Sequence, residues 1–117
     1  MVQLVACLSS GKGTWGHVNR LIEDSEWENI YLITNEFGKE NFHPKKNCEF
    51  IIADSNQGLK ELRDSIQNQL NGKLKSEVAL NLVSGIGKEH MAILSALLRL
   101  GVGIRLTALT KDGIEEI

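Results

Sequence analysis

Two short segments of the chain, residues 9–16 (SSGKGTWG) and 84–88 (SGIGK), combine glycines, hydroxyl side chains and a lysine. Glycines allow a backbone to approach a ligand closely, and backbone N–H groups beside an ammonium group bind phosphate-type anions. Each segment follows an apolar run and precedes a helical pattern, which predicts a strand-to-helix turn whose helix N-terminus favours negative charge. We therefore expect two phosphate-binding loops in one small protein.

The elements that position these loops alternate between strands and helices. We predict strands at residues 2–8, 29–34, 50–53, 78–83 and 104–110, helices at 17–25, 58–74 and 89–100, and an irregular or short helical crossover at 39–47. An Asp-Gly pair predicts a hairpin that returns residues 114–117 onto the fifth strand.

This pattern predicts an α/β, Rossmann-like, doubly wound and mainly parallel five-stranded sheet with a C-terminal β-hairpin. In the usual strand order 3-2-1-4-5 the first and fourth strands are neighbours, and ligands bind beside their carboxyl ends. Both glycine loops would then face one crevice.

Composition indicates one globular domain, residues 1–117. Of its residues 42% are apolar and 24% are charged, and the formal net charge is −2, which argues against general attraction to duplex DNA. No apolar run approaches the length of a membrane-spanning helix, and the N-terminus lacks the basic region of a signal peptide. We expect a cytoplasmic protein that binds no membrane, with Cys7 and Cys48 buried and reduced.

The first loop fits the dinucleotide-binding pattern G-x-G-x-x-G at residues 11–16, after a strand and before a helix. Glu36 follows at the spacing of an acid that binds ribose. Two features disagree with the pattern: two serines separate the strand from the first glycine, and Arg20 stands where close helix packing favours a small residue. NAD or mononucleotide binding stays open as an alternative.

Other site types find less support in the sequence. The first loop is not a P-loop, because Ala6 stands where that motif needs glycine and Gly13 stands where it needs serine or threonine. His17, His43 and His90 have no evident partners for a catalytic triad, and no ligand cluster indicates a metal. The glycines could also serve only to make tight turns.

The predicted helix at residues 89–100 is apolar on more than one face. One face covers the sheet, and the remainder would be exposed unless something packs on it. We expect a homodimer through this helix, with its two-fold axis near the loops. The alternative is that the C-terminal hairpin covers this surface.

Residues 81–88 (NLVSGIGK), followed by an apolar helix and a strand, resemble the CARF (CRISPR-associated Rossmann fold) family. Ser9 and Ser10 match the serine or threonine that this family carries after its first strand. The resemblance implies a homodimer that binds cyclic oligoadenylate, a nucleotide second messenger of antiviral defence, across the dimer axis. A lone core of this kind resembles a ring nuclease, a ligand sink or a subunit of something larger.

The resemblance also implies roles for individual residues. If the ring is cleaved, a ribose 2′-OH attacks its adjacent phosphate without a metal or cofactor, and the protein orients the hydroxyl and stabilises charge. The candidate catalytic residues are Lys88, Ser10 and Lys12. The candidate ligand-binding residues are Ser9, Gly11, Gly13, Thr14, Trp15, Asn35, Glu36, Ser84, Gly85, Ile86, Gly87 and His90. Besides nucleotide binding without turnover, a structural partner with no ligand is a further alternative.

Overall fold

The computed structural model describes residues 2–117, in which strands and helices alternate. The strands are β1 (Gln3–Cys7), β2 (Ile30–Thr34), β3 (Glu49–Ile52), β4 (Glu77–Asn81), β5 (Gly103–Thr110) and β6 (Gly113–Glu116). The helices are α1 (Trp15–Glu23), α2 (Glu36–Asn41), α3 (Leu59–Leu70) and α4 (Gly87–Arg99), and a 3-10 turn at Lys12–Thr14 precedes α1.

The strands form one sheet in the order β3-β2-β1-β4-β5-β6. The first five strands are parallel, and β6 pairs antiparallel with β5. The predicted five-stranded sheet is therefore a six-stranded one, because the returning segment of the hairpin adds a full strand at the edge. The α/β class and the mainly parallel sheet are confirmed, and the order is consistent with a Rossmann-like arrangement.

Helices cover both faces of the sheet, since alternate residues of each central strand point to opposite sides. On one face Val5 and Leu80 join the buried sides of α3 and α4 in one apolar core. On the other face Leu4 and Leu32 pack with the buried residues of α1. The two cores fix the sheet between its helical layers and hold the ends of the central strands in register.

Several predicted boundaries moved by a few residues. Helix α1 begins at Trp15, two residues before the predicted start. Helix α2 precedes most of the predicted crossover at 39–47, because the Asn35 side chain accepts a hydrogen bond from the Gly38 N–H at 2.9 Å and so caps its first turn. Helix α3 ends at Leu70, before Gly72 with its φ of 82°. Within residues 2–117 no helix is long and apolar enough to cross a membrane.

Candidate functional site

The loops after β1 and β4 meet at the carboxyl edge of the sheet. The Ser9 N–H donates to Ser84 Oγ at 2.8 Å, and the Ser84 hydroxyl donates to Ser9 Oγ at 3.1 Å. Ser84 is fully buried. Because β1 and β4 are paired neighbours, these bonds join two loops that lie 75 residues apart in sequence. We call residues 9–14 and 84–87 the loop pair.

The glycines of the first loop are not required by the fold itself. Gly11, Gly13 and Gly16 have no left-handed φ. A Cβ added at Gly13 or Gly16 would meet nothing within 4 Å, and one at Gly11 would only touch Ser9 Oγ at 3.8 Å. The interpretation that these glycines serve only tight turns therefore lacks support here, and the loop leaves open space beside its backbone.

Gly85 in the second loop has the opposite character. Its φ is 106°, a conformation that L-residues with a side chain rarely adopt. A Cβ there would lie 2.6 Å from Cys7 Sγ and 3.0 Å from both Glu89 Oε1 and His90 Nε2. The fold alone accounts for this glycine. Gly87, by contrast, has open space around its Cα.

The N-terminus of α4 is partly satisfied from within the chain. Glu89 Oε1 accepts a hydrogen bond from the Ile86 N–H at 2.9 Å, which places a carboxylate where we expected only an external anion. The His90 Nε2 lies 2.8 Å from the Ser84 carbonyl oxygen and fixes the loop to the helix. The side chain of Ile86 remains 56% exposed. Because Glu89 and His90 occupy polar groups of the second loop, while Gly11 and Gly13 have open space beside them, the first loop is the more open half of the loop pair.

The two candidate lysines point to different surroundings. Lys12 Nζ lies 5.6 Å from the ring centroid of Trp15 and 5.7 Å from that of Phe37, a cation–π arrangement. Lys88 Nζ donates to the Ser55 carbonyl at 2.8 Å and also to the Gln57 carbonyl. Lys88 therefore ties the start of α4 to the loop between β3 and α3, rather than lying free beside Ser9 and Ser84.

Several other predicted site residues take structural or peripheral places. Asn35 caps α2 through its side chain, and Glu36 is exposed in the first turn of that helix, at the end of β2 beside β1. The Thr14 hydroxyl is buried without a hydrogen-bond partner in the described chain. Ser10 is exposed. Asn35 thus has a role in folding that needs no ligand.

An aromatic cluster next to the first loop was not predicted from the sequence, except for Trp15. The Trp15 indole N–H donates to the Ser9 carbonyl at 2.7 Å, and its ring lies edge-to-face with Phe42 at a centroid distance of 5.4 Å and tilted against Phe37 at 6.2 Å. Asn19 lies one helical turn after Trp15. That spacing places both side chains on one side of α1, and it is the signal that could have revealed Asn19 as a neighbour of Trp15.

Trp15, Asn19 and Phe42 border a cavity of about 210 Å³ on the α1 side of the sheet. We call it the aromatic pocket; it is lined by Trp15, Gly16, Asn19, Asn41, Phe42 and His43. It shares Trp15 with the cluster beside the loop pair. The Asn19 side-chain oxygen is buried and has no hydrogen-bond partner in the described chain.

A buried polar network joins α1 to the far strands beneath the loop pair. Asn81, which is 1% exposed, donates through Nδ2 to the Thr107 carbonyl at 2.8 Å and lies 3.2 Å from His17 Nε2. The Leu109 N–H also points at His17 Nε2, at 3.4 Å. With two donors facing it, this nitrogen is an acceptor, and the imidazole is neutral with its proton on Nδ1. Burial also lowers the pKa of His17, which favours the neutral imidazole.

Both cysteines are free thiols of low reactivity. Burial, assisted by the charge of Glu89, raises the pKa of the Cys7 thiol far above its usual range, so this thiol is no nucleophile. Burial raises the pKa of Cys48 to about 11, although this residue is only half-buried where we expected full burial. Residues 2–117 contain no group of three side chains able to hold a metal ion.

Comparison of the sequence with protein-family models and with curated proteins finds no match in either set.

Proposed function

We propose that this chain binds a cyclic oligoadenylate at the loop pair, as a homodimer with CARF-like architecture. The observation that carries the proposal is the direct hydrogen bonding of Ser9 to Ser84 at the carboxyl edge of β1 and β4. Ligands of open α/β sheets bind at this edge, and two glycine-containing loops there present backbone donors to one phosphate-bearing ligand.

The open glycines of the first loop support a ligand rather than a purely structural turn. Since Gly11 and Gly13 have ordinary φ angles, and a Cβ at either position would meet no atom closer than 3.8 Å, the fold itself has room for a side-chain carbon there. What glycine provides there is access of a phosphate group to the backbone N–H groups. Lys12 supplies a positive charge to the same loop.

Exposed apolar side chains support the homodimer. Ile86 is 56% exposed, Met91 59% and Leu98 67%. Met91 and Leu98 are seven residues apart on α4 and so share one side of the helix. This stripe begins beside the loop pair, so a two-fold axis through it would bring two loop pairs together around one ring.

Ring cleavage, where it occurs, would follow from the same geometry. The ribose 2′-oxygen attacks the adjacent phosphorus, the bond from phosphorus to the 5′-oxygen breaks, and that oxygen takes a proton while the 2′-OH loses one. Ser10 would orient the ring, and Lys12 and Lys88 would stabilise the negative charge on the phosphorane oxygens. For this role Lys88 must exchange its carbonyl partners, Ser55 and Gln57, for phosphate.

Calorimetry of the purified protein with cyclic tetra-adenylate, followed by chromatography of the mixture, tests the proposal. We expect saturable heat at one ring per two chains, and linear products would make the protein an enzyme. Absence of heat with both the tetra- and the hexa-adenylate ring would overturn the proposal.

A second candidate, binding of a mono- or dinucleotide without turnover, is favoured by Glu36. Its carboxylate is exposed at the end of β2, where acids bind ribose hydroxyls in dinucleotide-binding sheets. Gly16 argues against the full dinucleotide motif, because the third glycine should permit close packing of helix on strand, whereas a Cβ added at Gly16 would meet no atom within 4 Å. Saturable heat with NAD or AMP but not with either ring would favour this candidate.

A further inference from the structure

The aromatic pocket has the size of a site for one flat group. Its volume is about 210 Å³. Pockets for complete drug-sized ligands span roughly 300–1,000 Å³, so this one suits a single ring system attached to a larger molecule. It lies directly beside the first loop, because Trp15 both lines it and donates to the Ser9 carbonyl.

The walls of the pocket suit a nucleobase. Phe42, which lines the pocket, is 5% exposed and holds the Trp15 ring edge-to-face. Phe37 lies outside the lining, packs against Trp15 and is 43% exposed. The half-buried Trp15 ring offers aromatic surface on which a base can stack. Lys12 Nζ lies 5.6 Å from the centroid of the Trp15 ring, so a cation is next to the pocket, within reach of a phosphate attached to a base bound there.

Asn19 supplies the polar recognition. Its side-chain oxygen lies buried in the pocket wall with no hydrogen-bond partner among residues 2–117, and a buried acceptor without a partner is unfavourable. Turned towards the pocket, the Asn19 carboxamide can pair with adenine through two bonds, its oxygen accepting from N6–H and its amide N–H donating to N7. Guanine offers an acceptor, O6, in place of the N6 amine, and matches the amide oxygen less well.

We propose that the aromatic pocket is an adenine-binding subsite, in which Asn19 pairs with the base, Trp15 stacks on it and Lys12 contacts the attached phosphate. The inference rests on the proposed function in that it assigns one adenylate unit of the ligand to this pocket. It goes beyond that function by locating base recognition on the α1 side of the sheet, outside the loop pair.

The fluorescence of Trp15 tests the assignment. The chain has two tryptophans, so Trp27→Phe leaves Trp15 as the only indole reporter. This variant is titrated with AMP, GMP and ribose 5-phosphate, with excitation at the red edge of the indole band, where adenine does not absorb. We expect saturable quenching by AMP, affinity for GMP lower by about fivefold or more, and no quenching by ribose 5-phosphate.

Asn19→Leu provides the decisive variant, with Asn68→Leu on the exposed side of α3 as its matched control. We expect Asn19→Leu to weaken AMP binding about tenfold and to remove the preference over GMP, while Asn68→Leu binds as the parent. Equal affinity of Asn19→Leu and parent for AMP, or equal quenching by ribose 5-phosphate, would refute the subsite.

The same variants separate this inference from the proposed function. If the unsubstituted protein and Asn19→Leu bind cyclic tetra-adenylate equally in calorimetry, the subsite is wrong and the proposed function stands. If neither ring binds but AMP quenches Trp15 in an Asn19-dependent manner, the subsite stands and cyclic oligoadenylate is not the ligand.

Discussion

His17 is the ionisable side chain whose state the structure defines most closely. The amide of Asn81 and the N–H of Leu109 both face its Nε2. A proton on Nε2 would therefore point an N–H group at two other N–H donors, which is unfavourable. Burial lowers its pKa from the ordinary 6.5. The folded protein therefore binds this proton less readily than the unfolded chain does.

We expect stability to fall with acid because of His17. A histidine with a lowered folded-state pKa contributes full stability above its unfolded value of 6.5, and that contribution is lost as the pH falls below it towards the folded-state pKa. Urea unfolding at about pH 7 and about pH 5 measures the difference in unfolding free energy. His17→Gln should reduce the dependence of the unfolding free energy on pH. An identical change of unfolding free energy with pH in the parent and in His17→Gln would contradict the assignment of this acid sensitivity to His17.

Lys88 combines a structural contact with a proposed chemical role. Lys88→Ala removes its bonds to the Ser55 and Gln57 carbonyls, so we expect a loss of about 1 kcal/mol in the free energy of unfolding. We also expect cleavage of a bound ring to be abolished.

Lys75→Ala is the matched control for Lys88→Ala, since Lys75 lies at the opposite end of the sheet and pairs on the surface with Glu28. Chromatography of ring products and denaturant unfolding on the same samples separate the two effects. Unchanged turnover in Lys88→Ala would remove this residue from the mechanism.

At the scale of elements, α1 and the β4–α4 turn use glycine for different reasons. Gly16 lies in the first turn of α1 with an ordinary φ and open surroundings, whereas Gly85 has a φ of 106° and is crowded on three sides. Helical glycine costs about 0.5–1 kcal/mol relative to alanine. A side chain at Gly85 would instead strain the backbone and collide with Cys7.

We therefore expect Gly16→Ala to stabilise the protein by about 0.5–1 kcal/mol and Gly85→Ala to destabilise it by more than about 1 kcal/mol. Thermal unfolding followed by circular dichroism measures both. Since Gly16 also lines the aromatic pocket, its alanine variant should bind AMP less tightly despite its higher stability. Stabilisation by Gly85→Ala would show that the β4–α4 turn relaxes in solution.

At the scale of the whole molecule, the exposed stripe of α4 leaves apolar surface for a second copy. Leu98 is 67% exposed near the C-terminal end of this helix, away from the loop pair. We expect Leu98→Glu to convert the proposed homodimer into a monomer, because two carboxylates would be buried at the interface. Sedimentation equilibrium measures the change. Asn47→Glu, which adds the same single charge at an exposed position before β3 at the far edge of the sheet, is the matched control. A parent protein that is monomeric at high concentration would contradict the homodimer.

Local sequence determined the elements of this protein and the ends of its central strands. Apolar runs of strand length, three- and four-residue spacing in α1 and α3, and the Asp-Gly turn predicted nearly every element, because these patterns depend on neighbours along the chain. Boundaries that moved depended on single contacts, such as the cap that Asn35 places on Gly38. The sixth strand was counted only as a hairpin, since its pairing along β5 is a tertiary outcome.

Which groups share the candidate site was decided by tertiary structure. The sequence placed a glycine and a lysine in each loop, yet only the folded chain bonds Ser9 to Ser84 and directs Lys88 to the carbonyls of the β3–α3 loop. The sequence likewise singled out Trp15 but not Asn19 or Phe42, whose proximity depends on how α1 packs beside the segment after α2. Spacing along a chain fixes which side chains are near in one element, whereas the distances between elements follow from how their apolar faces are buried together.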